Sequence, residues 1–130
     1  MSSEDFSSIL VTDIMSTSLI SVSPATTALQ IAKMMEQGGI GAIIVKENGN
    51  SVGIITDRDF ATNVAANDLS FDTPVKKTMS SPLVTINHSE SITSAAKIMS
   101  SKKIRKLAVS ENGKIIGIIT STDIVNQIAK

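Results

Sequence analysis

Two Thr-x-x-Asp steps, Thr56 to Asp59 and Thr120 to Asp123, carry the residue types and spacing in this chain that could do chemistry. Each follows an apolar run, so each Thr ends a strand and opens a helix. Its hydroxyl is a natural N-cap, and the Asp three residues on can close a capping box. The same spacing suits a ligand. A carboxylate beside a helix start can accept two hydrogen bonds from a ribose diol, as acidic residues do in dinucleotide folds. The helix N-terminus offers N–H groups and partial positive charge to phosphate or a polar sugar edge. Capping alone and capping combined with ligand binding both fit these residues.

Catalysis has little to work with. An enzyme needs an activated nucleophile or a positioned acid and base, and here there is no Cys, a single His and no phosphate-loop glycine pattern. Disulfides, thiolate metal ligation and a clustered His site are excluded on the same counts. The expectation is a protein that is not an enzyme and needs no cofactor or metal. Arg58, between Asp57 and Asp59, reads as a surface ion pair or a phosphate contact. His88 reads as an occupant of a first helical turn, and Met15 and Met79, at matching positions, as core.

The chain that must position these residues has 130 of them, enough for one compact domain that buries roughly two-thirds of its unfolded surface. It is 42% apolar and 18% charged, with no Trp or Tyr, three Phe and six Met, so its core is aliphatic. No apolar run approaches the ~18 residues of a membrane span and no signal peptide opens the chain, which predicts a cytoplasmic protein. Net charge is zero, yet Met1 to Ala65 hold three basic and seven acidic residues, whereas Ala66 to Lys130 hold nine and five.

Val11 to Ala66 lies over Val75 to Lys130 without a gap, at an offset of 64, with about a third of positions identical. The strongest block sets ENGNSVGIITDRD, Glu47 to Asp59, over ENGKIIGIITSTD, Glu111 to Asp123. Two such copies, each too small to close a core alone, should pack as a pseudo-symmetric whole. Each reads as strand, helix, strand, strand, helix. The first strands fall around Leu19 to Val22 and Leu83 to Ile86, and helix starts are expected at Ser23-Pro24 and Asn87-His88. Asn87 and Glu90 have capping-box spacing. Ala28, Ile31, Ala32 and Met35 line one helix face, and Ile92, Ala95, Ala96 and Met99 line its counterpart. The strand pairs Ala42 to Lys46 with Val52 to Thr56, and Leu107 to Ser110 with Ile115 to Thr120, are joined by Asn48-Gly49 and Asn112-Gly113, which favour tight hairpins. Second helices begin at Asp57 and Ser121. Asn67 to Pro74 reads as a connection and nothing more.

GIITDRDF, Gly53 to Phe60, and GIITSTDI, Gly117 to Ile124, each preceded by that helix, hairpin and ENG turn, resemble the signature of cystathionine beta-synthase (CBS) motifs. The resemblance runs from Val11 to the last residue. It divides the chain into an N-terminal segment at 1–10, one motif at 11–66, a linker at 67–74 and a second motif at 75–130. It implies an α+β fold of tandem CBS motifs, β-α-β-β-α twice, whose two three-stranded sheets pack with pseudo-twofold symmetry as a Bateman module with two clefts. Each cleft would combine the Thr-x-x-Asp of one motif with the first strand and mid-motif turn of the other. One would hold Thr56, Asp59, Ser81, Pro82, Ile104, Arg105 and Lys106, and the other Thr120, Asp123, Thr12, Thr17, Ile40, Gly41 and Ala42.

Lys102 and Lys103 complement a helix C-terminus, but Arg105 and Lys106 immediately precede a strand, where side chains of nucleotide-binding CBS pairs commonly reach phosphate. Arg brings a planar fork and Lys a point charge. Gly41 and Ala42 stand at those positions in the first copy, so the Asp59 site is expected to take the phosphorylated ligand and the Asp123 site to be weaker, empty or suited to less negative charge. The resemblance also implies the function: a sensor of an adenosine compound, with AMP, ADP or ATP ahead of S-adenosylmethionine and dinucleotides, that shifts the population of two arrangements and reports to another protein. A homodimer is expected, with no membrane partner. Two other classes remain, a ligand-free dimeric scaffold and nucleic-acid binding through the basic second motif. The latter is disfavoured by the scarcity of stacking aromatics.

Overall fold

The computed structural model describes residues Phe6 to Lys130, so the first five residues of the expected N-terminal segment lie outside the described residues. The described residues form two compact units. One is the contiguous stretch Ile20–Leu83, and the other joins the chain up to Leu19 with Val84–Lys130.

The contiguous unit contains β1 (Ser21–Val22), α2 (Ala28–Gly38), β2 (Ala42–Glu47) and β3 (Asn50–Thr56). A second helix follows, α3, with an α turn at Asp57–Asp59 and a π-helical run at Phe60–Ala65, and then a 3-10 turn at Val75–Lys77. The other unit opens with the short helix α1 (Val11–Ile14). It continues with β4 (Thr85–Asn87), α4 (Ile92–Lys102), β5 (Lys106–Glu111), β6 (Lys114–Thr120) and α5 (Ser121–Ile128). In each unit a three-stranded sheet pairs its short first strand parallel to the second and its second antiparallel to the third.

The hairpins form as the dipeptides predict. Asn48 and Gly49 have φ of 53° and 80°, Asn112 and Gly113 52° and 80°, so both central residues occupy the positive-φ region that a twist-matched two-residue turn requires. Alternation then places Ile43, Val45 and Ile55 on one sheet face with Ile31 and Val75, and Leu107, Val109 and Ile119 with Ile92, Ala95 and Met99. Ala96 departs from its expected place on the helix stripe and is exposed.

Helix starts lie about four residues later than expected. Thr27 caps α2, its hydroxyl accepting from the Gln30 N–H at 3.3 Å while Gln30 Oε1 accepts from the Thr27 N–H at 2.9 Å. Ser91 caps α4 by accepting from the Ser94 N–H at 3.2 Å. Asn87 instead closes a turn, accepting from the N–H and hydroxyl of Ser89, and His88 sits in that turn rather than in a helix. The Asn-x-x-Glu spacing was outcompeted by a local side-chain turn, which Asn favours over helix entry.

The stretch 67–74 does more than connect. Thr73 and Phe71 carbonyls accept from the Ala28 and Leu29 N–H groups at 2.8 and 3.1 Å, and Val75 N–H donates to Thr26 O at 2.7 Å. The first two bonds satisfy donors that a helix start leaves open. In the other unit Ile9 O accepts from Ile92 N–H at 2.9 Å and Val11 N–H donates to Glu90 O at 2.9 Å. These pairs match across the offset of 64. Each of α2 and α4 is therefore sealed by the sequence leading into the other copy.

Candidate functional site

Each Thr-x-x-Asp step sits where a strand runs into a helix, and each forms the expected capping box. Thr56 Oγ1 accepts from the Asp59 N–H at 3.1 Å while Asp59 Oδ2 accepts from the Thr56 N–H at 3.0 Å. Thr120 Oγ1 accepts from the Asp123 N–H at 3.1 Å while Asp123 Oδ2 accepts from the Thr120 N–H at 2.9 Å. Both carboxylates are half-buried. In each cap only Oδ2 is engaged, which leaves Oδ1 to a donor outside the cap.

The helix N–H groups are less available than the sequence suggested. In the first copy Gly41 O accepts from the Asp57 N–H at 3.1 Å, Asp57 Oδ1 from the Arg58 N–H at 2.8 Å, and Thr56 Oγ1 from the Asp59 N–H. Phosphate would have to displace one of these partners. In the second copy Arg105 O accepts from the Ser121 N–H at 2.9 Å, and among the described residues no bond corresponds to that between Asp57 and Arg58, because Ser121 replaces Asp57. Arg58 is exposed and forms no ion pair among the described residues.

Within the contiguous unit the structure brings Thr56 and Asp59 together with Ala42, the cross-strand partner of Thr56, and with Gly41 through its bond to Asp57. Ile40 packs against that unit's core. Ser81 and Pro82, joined by a cis peptide, follow Ser80, whose backbone pairs with Ile54 on the edge of β3. Within the other unit Lys106 is the cross-strand partner of Thr120, Arg105 carries the carbonyl bonded to Ser121, and Ile104 packs against the core. Thr12 lies on α1, and the Thr17 carbonyl accepts from the Leu19 N–H at 2.9 Å. The basic pair thus shares a unit with Thr120 and Asp123, and the Gly-Ala pair with Thr56 and Asp59.

Sequence reasoning missed Ser80. Its hydroxyl donates to Asp59 Oδ1 at 2.9 Å, across 21 residues of chain. The preserved Met-Ser pair at 15–16 and 79–80 was a signal that this segment matters, but nothing local linked it to the carboxylate.

The fold and the paired helix starts define a class. The CBS domain family matches this chain twice, at residues 11–66 and 75–130, and the chain belongs to that family. Such a pair is a regulatory ligand-binding module. The chain is similar to the CBS domain-containing protein YhcV of Bacillus subtilis, 37% identical over 120 residues that span 92% of this chain and 86% of that one. It spans far less of some longer relatives, 24% and 36% of two uncharacterized proteins of Methanocaldococcus jannaschii. An uncharacterized conserved protein of Pyrococcus horikoshii superposes with a TM-score of 0.89 at 26% identity, covering 95% of both chains. The CBS domain pair of protein MJ0100, solved in complex with 5′-methylthioadenosine and S-adenosyl-L-methionine, superposes with a TM-score of 0.81 at 28% identity, covering 92% of this chain and 95% of that one. Among the described residues no helix is long and apolar enough to cross a membrane.

Proposed function

We propose that this protein is a cytoplasmic sensor that binds an adenosine compound without transforming it, with AMP, ADP or ATP preferred, and passes the signal to another protein. The observation that carries this reading is the recurrence, in both units, of a half-buried Asp fixed by a capping Thr with acceptor capacity to spare. The adenosine ligands bound by the MJ0100 pair support the ligand class. Asp59 is the ribose receptor, and Arg105 and Lys106 carry positive charge of the kind that recognises phosphate. No cofactor is required.

Isothermal titration with AMP, ATP and S-adenosylmethionine tests this. Saturable binding of a nucleotide is expected, lost in Asp59→Ala, retained in Asp123→Ala and weakened at least about tenfold in Arg105→Ala, as expected when a charged hydrogen bond is removed. Binding abolished by Asp123→Ala and unaffected by Asp59→Ala would reverse the assignment.

The same protein is expected to associate as a homodimer. On α5, Val125 and Ile128 are 60% and 54% exposed one helical turn apart, an apolar strip suited to a second copy. Light scattering after size exclusion should give twice the chain mass of 13.7 kDa, and Val125→Asp should return it to the monomer. Silence from every nucleotide together with a persistent dimer would favour the scaffold reading.

A further inference from the structure

Asp59 and Asp123 occupy the same place in their copies, yet they are not equally occupied. Asp59 Oδ2 accepts from both the N–H and the hydroxyl of Thr56, each at 3.0 Å, and Oδ1 accepts from the Ser80 hydroxyl at 2.9 Å. Asp123 Oδ2 accepts from the Thr120 N–H at 2.9 Å, and among the described residues no side chain bonds its other oxygen. Ser16 is the counterpart of Ser80 and has the same backbone pairing, to Ile118 in place of Ile54. Its hydroxyl nevertheless accepts from the Ser18 N–H at 3.4 Å rather than reaching the carboxylate.

An ionised carboxylate has about four lone-pair sites. Three are filled at Asp59, all by groups of its own unit. We infer that Ser80 is a positioning residue that sets the ligand preference of Asp59: it pins the carboxylate by its outer oxygen and leaves room for one further hydroxyl, whereas Asp123 can receive both hydroxyls of a vicinal diol. The inference rests on the adenosine reading and adds a selectivity to it. The Asp59 site tolerates a ribose that lacks one hydroxyl, because the second hydroxyl would compete with Ser80 for the same oxygen.

The test isolates Asp59 by using the full chain with Asp123→Ala and compares AMP with 2′-deoxyadenosine 5′-monophosphate by isothermal titration. The two dissociation constants should lie within about threefold. Adding Ser80→Ala should widen the preference for AMP to about tenfold, the scale of one hydrogen bond to a charged group, and Ser80→Thr should restore the narrow ratio. Ser80 is exposed, so thermal unfolding should show these variants folded like the parent.

A ratio that Ser80→Ala leaves unchanged or narrows overturns the role of Ser80 while sparing the adenosine reading. Loss of all AMP binding in Asp123→Ala also overturns it, since Asp59 would then hold no ribose. Failure of the unmodified protein to bind AMP overturns both.

Discussion

Gly53 and Gly117 sit in the GIIT blocks that first pointed to the family, and the structure gives them a steric reason. A Cβ at Gly53 would lie 2.6 Å from Met79 Sδ and 2.9 Å from the Ser80 carbonyl oxygen. One at Gly117 would press on Met15 and approach the Ser16 carbonyl oxygen to 2.9 Å. The obstacle in each case includes paired backbone, which cannot swing aside as a side-chain end can. Gly53→Ala should therefore destabilise the fold by about 1–3 kcal/mol, read as a lower urea midpoint. It should also disturb Asp59, because the displaced segment carries Ser80. Gly38→Ala is the control: its added carbon meets the end of the Ile40 side chain, and its effect should stay within about 0.5 kcal/mol. The sequence marked Gly53 and Gly117 as signature positions without saying why. The carbonyls above them come from segments 27 and 101 residues away, beyond any local pattern.

Among the elements, those specified by nearby residues were legible. The strands flanking Asn48-Gly49 and Asn112-Gly113 fell where alternation and turn chemistry put them, since the dipeptide dictates the backbone geometry that sets the register. Helix starts were less so, because Ser, Asn, Thr and Pro signal turns and caps alike. Thr27-x-x-Gln30 is itself a capping-box pattern and was readable, but Ser23-Pro24 lay upstream of it and drew the boundary forward. Thr27→Ala should cost about 1 kcal/mol, whereas Glu90→Ala, which removes the supposed box partner of Asn87, should change stability by less than about 0.5 kcal/mol. Chemical denaturation of the two variants separates the caps. The π winding of Phe60–Ala65 had no sequence signal. Its repeat counterpart is a regular α-helix, and Asn63 Nδ2 donates from this run to the Thr78 carbonyl at 2.8 Å, a tertiary bond that local propensity does not encode.

For the whole molecule, the repeat boundaries read from the sequence and the compact units of the structure divide the chain differently. The contiguous unit is Ile20–Leu83, which includes Thr73, Met79 and fully buried Val75. All three lie beyond the first repeat copy, which ends at Ala66. A fragment of residues 20–83 should accordingly show more dispersed amide resonances and more helical circular dichroism than a fragment of residues 11–66, which lacks the groups that seal α2 and fill its core. Equal disorder in both would argue that neither division marks a folding unit. Periodicity could not reveal this arrangement, because it reports which residues face a core and not which chain segment closes it.

The exchange of sealing segments also sets an order of events during synthesis. Everything the contiguous unit needs has been translated once Leu83 is out, so its sheet and helices can form early and locally. Phe6 to Leu19, made before that unit, have their partners Glu90, Ile92 and Ile118 among residues made after it. Until then this segment lacks the backbone partners that hold it, and residues made after the contiguous unit complete what was made before it.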